Sequence, residues 1–192
     1  MKNTCLLSED SKTYLCCFYQ ILDEMVQGMT TAGLTQSISH NFIVQMIPHH
    51  RAAIKMSTNI LRFTENSAVR RMAQRIIDQQ TQGIGQMEDA LAACNQLTNP
   101  QMDLRLYQRR IDLIYREMYA QMGSSPENNA LAAVFMREMI PHRQGAVRMA
   151  ENALKYDVCT DLVPILRTIV TQQRQEMIQM RSLLSRMNCR RS

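Results

Sequence analysis

Apolar residues in this chain recur every three to four positions through stretches of twenty or more residues, the period of one helix face. The first such stretch predicts a helix over residues 10–29, ended by Thr30-Thr31-Ala32-Gly33. A second begins at Ser37 or Ser39 and runs to about Phe63, with apolar residues at 42, 46, 53, 54, 60 and 61. Ser67 reads as the N-cap of a third helix carrying Ile76, Ile77, Ile84, Met87 and Leu91. A linker follows over 95–100, with Asn99 as a cap and Pro100 at the first helical position. Further helices are expected over 100–122, 126–155 and 161–188, the fifth opened by Ser125-Pro126. Alternating strand patterns are lacking, and only 6 Gly and 5 Pro punctuate 192 residues. The expected fold class is all-α.

The pattern repeats. Shifted by 93 positions, residues 10–97 align without a gap on 103–190, and 23 of the 88 pairs are identical. Tyr14 meets Tyr107, Glu24 meets Glu117, Phe42 meets Phe135, and Gln79-Gln80 meets Gln172-Gln173. Met46-Ile47-Pro48-His49 recurs as Met139-Ile140-Pro141-His142. Such self-similarity predicts two duplicated units, 1–97 and 98–192, each of three helices. Three amphipathic helices bury little alone, so the units are expected to share one core as an up-down bundle. Helices 2, 3, 5 and 6 would form its four-helix centre.

Ten of the 16 methionines fall into five repeat-matched pairs, 25/118, 29/122, 46/139, 56/149 and 87/180. Other apolar positions drift between copies, as Met72/Ile165 and Ile43/Met136 do. Methionine is also a good gap-filler in helical cores, so a stripe of it can be packing alone. Retention in both copies argues that the sulfur is wanted. Met46, His49, Ala53 and Met56 share one arc of the second helix. Folding the neighbouring helices back beside it groups Met25, Met46, His49 and Met87, with His50 adjacent. Met118, Met139, His142 and Met180 form the equivalent group, and Met56 and Met149 lie about 10 Å further along. Thioether and imidazole are soft, neutral donors that select Cu(I) and Ag(I). Pro48 either begins a helix or, inside one, frees the Val44 carbonyl and bends the chain beside His49. His50 faces Arg143 in the other unit, and His40, opposite Ala133, is expected on the surface.

These residues resemble the domain of unknown function 305 family. Phe42, Met46 to His50, Ala53 and Met56 look like its hallmark, and Ile76, Gln80, Ile84 and Met87 fit its following helix. The second unit matches through Phe135, Met139 to His142, Gly145, Ala146, Met149, Ala150, Gln173, Glu176 and Met180. The resemblance covers roughly half of each unit. It implies a ferritin-like helical bundle and, for some exported relatives, copper binding. The chain departs from the family where an acidic residue is replaced by Ser39 and Ala132, the second His by Arg143, and a later Glu by Gly83.

Charge and cysteine change the picture only at its margins. The net charge of +5 comes from 18 Arg and 4 Lys against 17 acids, spread over what should be helix exteriors plus a basic tail at Arg186, Arg190 and Arg191. Nucleic-acid binding is disfavoured, since no aromatic-flanked basic face is evident. No run is apolar enough to span a membrane, and no export signal is visible. The six cysteines lack CxxC spacing and are expected as reduced thiols in a cytoplasmic protein. The leading expectation is a soft-metal binding protein for storage, buffering or tolerance, with Cu(I) as its one cofactor. Its partner would be a metal ion, with homo-oligomerisation left open. A di-iron enzyme is disfavoured, because no Glu precedes a His by three positions. The alternative is a metal-free helical interaction or assembly module in which Met and His only pack.

Overall fold

The computed structural model describes residues 7–94, 97–124 and 127–189. These form six helices: α1 (Glu9–Thr30), α2 (Ile38–Leu61), α3 (Ser67–Ala93), α4 (Gln101–Met122), α5 (Leu131–Ala153) and α6 (Leu162–Cys189). There is no strand among the described residues, and no helix there is long and apolar enough to cross a membrane.

Helices α2 and α5 bury residues all round their circumference, as central helices must. α2 packs on α1, α3 and α5, α5 packs on α4 and α6 as well, and α3 meets α6. A ring of α2, α3, α6 and α5 is thereby closed, with α1 and α4 laid against its central pair. The Met, Ile, Phe and Leu of all six helices form one continuous core.

Contacts recur at the 93-residue offset. Asn59 Nδ2 donates to the Tyr14 carbonyl at 3.0 Å, and Asn152 Nδ2 donates to the Tyr107 carbonyl at 3.2 Å. Tyr14 packs edge-on against Phe63 at 6.1 Å, and Tyr107 against Tyr156 at 6.0 Å. Glu24 pairs with Lys55, and Glu117 with Arg148.

Helix boundaries differ from expectation where side chains compete for the backbone. Asn66, not Ser67, caps α3, its Oδ1 accepting from Ala68 and Val69. Pro100 is the N-cap residue of α4 rather than its first turn. Asn99 instead ties distant segments together: its Oδ1 accepts from Ile38 N and its Nδ2 donates to the Asp157 carbonyl. Helix α5 starts at Leu131 and not at 126, because Asn128 Oδ1 takes the Ala130 N–H and Asn129 Oδ1 takes that of Ser8. The proposed Ser125-Pro126 cap lies outside the described residues. Pro48 and Pro141 sit well inside their helices, which settles the choice left open for Pro48.

The expectation of reduced thiols is corrected at one pair. Cys94, capping α3, is bonded to Cys159 in the α5–α6 connection, with the Cα atoms 5.4 Å apart. Beside it, the Cys159 N–H donates to Ser39 Oγ. Cys16 and Cys17 are free.

Candidate functional site

The crossing of α2 and α5 brings the two repeat-matched histidines face to face. The His49 and His142 rings stack with centroids 3.7 Å apart and planes inclined by 30°, and both side chains are wholly buried. Each follows a helix-interior proline, which removes one backbone hydrogen bond at the crossing. None of the four ring nitrogens makes a well-formed hydrogen bond among the described residues, each ring only approaching the other residue's backbone. Burial holds both imidazoles well below the usual histidine pKa, reinforced at His49 by His50 and Arg143 and at His142 by His49, Arg143 and His50. Each ring also feels the other residue's backbone, which opposes the shift weakly. Both are neutral at physiological pH.

Polar side chains flank the stack on each side. His50, 2% exposed, lies 6.2 Å from His49 by ring centroid, and burial and then Arg143 lower its pKa to about 3. It faces α3, where the Cβ of any residue replacing Gly83 would come within 3.2 Å of its ring. At the equivalent positions of the second half stand Arg143 and Glu176. The expectation that arginines lie on helix exteriors fails at Arg143, which is 0% exposed. Its Nε sits 2.8 Å from Glu176 Oε2, a charge contact without the alignment of a hydrogen bond. Gln80 and Gln173 are buried beside these groups. Sequence reasoning caught the recurrence of these glutamines but not their burial.

Sequence reasoning also missed Glu138. It is 1% exposed and accepts a 2.6 Å hydrogen bond from the Tyr14 hydroxyl. Burial raises its pKa to about 8, the Tyr14 hydrogen bond opposing. Its repeat counterpart is the neutral Gln45, so the pairing gave no sign of a buried acid. His40, expected on the surface, is half-buried beside Asn41.

All ten repeat-matched methionines are buried in the shared core, none more than 3% exposed. Met25, Met46, Met56 and Met87 belong to one continuous core with Met118, Met139, Met149 and Met180. The space a Cβ would occupy at Gly145, three residues past His142, is filled by the Met118 thioether. By contrast the unmatched Met102 is 60% exposed.

The family model for a domain of unknown function, DUF305, matches residues 39–184 in one span. The chain belongs to the DUF305 family. A solved relative, described as the crystal structure of a DUF305 fragment from Deinococcus radiodurans, is 27% identical. It covers 78% of this chain and 96% of its own, with a TM-score of 0.57. No curated protein matches.

Whether these DUF305 residues suit a metal depends on donor chemistry. No group of three or more His, Cys, Asp or Glu side chains converges among the described residues, so a hard, carboxylate-rich ion finds no cage. Neutral imidazoles with free nitrogens in a thioether-rich core fit a soft monovalent ion better. The lone pairs of an imidazole lie in its ring plane. Two rings stacked at 30° therefore aim past one another, and a single ion would not take both; each histidine would serve its own side of the crossing.

Proposed function

We propose that this DUF305 protein binds Cu(I) or Ag(I) through thioether and imidazole donors, for storage, buffering or tolerance and without turnover. One observation carries the reading: two fully buried, neutral, repeat-matched histidines whose four ring nitrogens lack well-formed hydrogen bonds. A buried polar atom left unsatisfied costs about 1–3 kcal/mol, and native proteins rarely tolerate several together. A soft cation would take the lone pair of one nitrogen on each ring without adding a buried anion, the other nitrogen keeping its proton. One donor set is Met25, Met46, His49 and Met87 with His50; the other is Met118, Met139, His142 and Met180. Met56 and Met149 stand further along the same helices.

The reading treats the chain as a duplicated, ferritin-like bundle of two units, 1–97 and 98–192. The contacts recurring at the 93-residue offset support that. It also places the protein in an oxidising compartment rather than the cytoplasm, since the Cys94–Cys159 bond would not persist among cytosolic reductants. Arg143 replaces a donor in the second set and brings a cation that Glu176 only partly offsets. The Arg143 charge reaches His49 and His50 as well as His142, so the lost donor is what sets the halves apart, and the second set should bind more weakly.

The metal-free module is the second reading, favoured by the ring stacking itself, which is sound packing without any ion. A Cu(I) competition titration separates the two. It should use ascorbate as reductant, to spare the disulfide, and serine at Cys5, Cys16, Cys17 and Cys189. Met46→Leu and Met87→Leu nearly conserve volume and should cost the apo-protein less than about 1.5 kcal/mol. Affinity should nonetheless fall in both, and further in His49→Ala. Parent-like binding in all three variants would leave the metal-free module standing.

A further inference from the structure

Ions reaching the buried histidines must cross the helix ring somewhere, and its seams are not equally closed. Along the α3–α6 seam the helices run antiparallel, and two cavities lie in series. The outer is a cleft of about 370 Å³ between α3 and the start of α6, with the exposed Asp89 and Asp161 at its mouth. The inner is a smaller, more enclosed space of about 60 Å³, enough for a few water molecules. Gln86, Ile165 and Thr168 line both, so the two adjoin.

The inner cavity ends on His50. It is walled by glutamines from both helices, among them Gln80 and Gln173, which are 4% and 1% exposed. Gln79 Oε1, Gln80 Oε1 and both amide atoms of Gln173 have no hydrogen-bond partner among the described residues. Four unsatisfied polar atoms around a water-sized space describe a hydrated passage and not a packing defect. Gly83 keeps it open, since a Cβ there would press on the His50 ring at 3.2 Å. At the outer end, Cys94 and Cys159 bolt the two segments together five residues from Asp89 and two residues from Asp161.

We propose that this seam is the cation access path to the core histidines: Asp89 and Asp161 gather the ion, Gln86 and Thr168 pass it inward, and His50 relays it to His49. The Cys94–Cys159 bond limits how far the path opens. The inference rests on the soft-metal reading above and adds the route.

Silver ion, as silver nitrate in a chloride-free, non-coordinating buffer, is a redox-inert probe that can be followed by stopped flow against a silver-sensitive dye. The full chain is used with its disulfide intact and its other cysteines changed to serine. Gln86→Leu should slow association and dissociation together by about tenfold while the Kd stays within about twofold, because a barrier alters rates and not end states. Gly83→Ala should act in the same direction. Asp89→Asn with Asp161→Asn, both on the surface and harmless to folding, should slow association by about threefold at low salt and have no effect at high salt. Cys94→Ser with Cys159→Ser should speed both rates.

Normal affinity with parent-like rates in Gln86→Leu and in the double Asp variant would overturn the route and leave the soft-metal reading intact. A Gln86→Leu protein that loses affinity at an unchanged association rate would make Gln86 a ligand, and would also overturn it. If the parent takes up no silver at equilibrium, both proposals fall.

Discussion

Glu138 and the three core histidines are buried ionisable groups whose titrations oppose one another. His49, His50 and His142 have folded pKa values below their unfolded ones, so the unfolded chain binds more protons as pH falls below about 6.5. Their contribution is complete above that pH and is lost as pH drops towards the folded values, about 3 for His50. Glu138 does the reverse. Its folded pKa of about 8 exceeds the ordinary 4.5, so the native state holds the extra proton between those values and loses stability as pH rises through them. Three histidines outweigh one carboxyl below pH 6.5, and the carboxyl acts alone from there to about pH 9. Above that, buried Tyr14, Tyr107 and Tyr115, their pKa values raised by burial, add their own loss. Thermal melts should therefore peak near pH 6.5 and decline on both sides. Glu138→Gln should remove the decline up to about pH 8 and keep the acid one; a decline of undiminished size over that range in that variant would put its source elsewhere. His49 and His142 were legible in the sequence because they recur beside methionine, and His50 because it adjoins them. Glu138 and Arg143 were not, since each faces a residue of different charge in the other copy and charged residues on helices are ordinarily solvated.

Two glycines show how differently single helix positions are constrained. A Cβ added at Gly28 in α1 would sit 2.9 Å from Pro48 Cβ, so this glycine allows α1 to lie close to α2 at its proline. Gly85 in α3 has nothing within 4 Å of the same construction. Gly28→Ala should destabilise by about 1–3 kcal/mol through overpacking. Gly85→Ala should stabilise by about 0.5–1 kcal/mol, as alanine does in an unobstructed helix. Urea unfolding of both variants checks the opposite signs. Apolar period alone placed all six helices, because each buries a wide stripe in one core. The ends were less legible. At α3 and α5 the decisive interactions are asparagine side chains bonding nearby backbone, at Asn66 and Asn128, and composition does not reveal which of several polar residues will do so.

Across the whole molecule, six helices with no strand among the described residues were foreseen from the sequence, whereas the disulfide was invisible to it. Cys94 stands opposite Met187 and Cys159 opposite Asn66, so neither position recurs and no spacing rule links them. The bond closes 65 residues of chain. Loop-closure entropy assigns such a crosslink about 4 kcal/mol, and strain ordinarily reduces the yield to about 2–4 kcal/mol. Cys94→Ser with Cys159→Ser should lower the unfolding free energy by that amount, measured by denaturant melts of the apo-protein. A variant as stable as the parent would show that packing, and the Asn99 hydrogen bonds beside the bond, already fix this end of the bundle.

The same bond makes the covalent molecule more than a linear string. All of α4 and α5, and both connections around them, lie between its two cysteines. A protease that cuts the backbone once anywhere in that interval leaves two fragments still joined through sulfur. Such a nicked molecule would run near full mass on a non-reducing gel and separate into two bands only after a thiol is added. Damage there goes unseen until the sample is reduced.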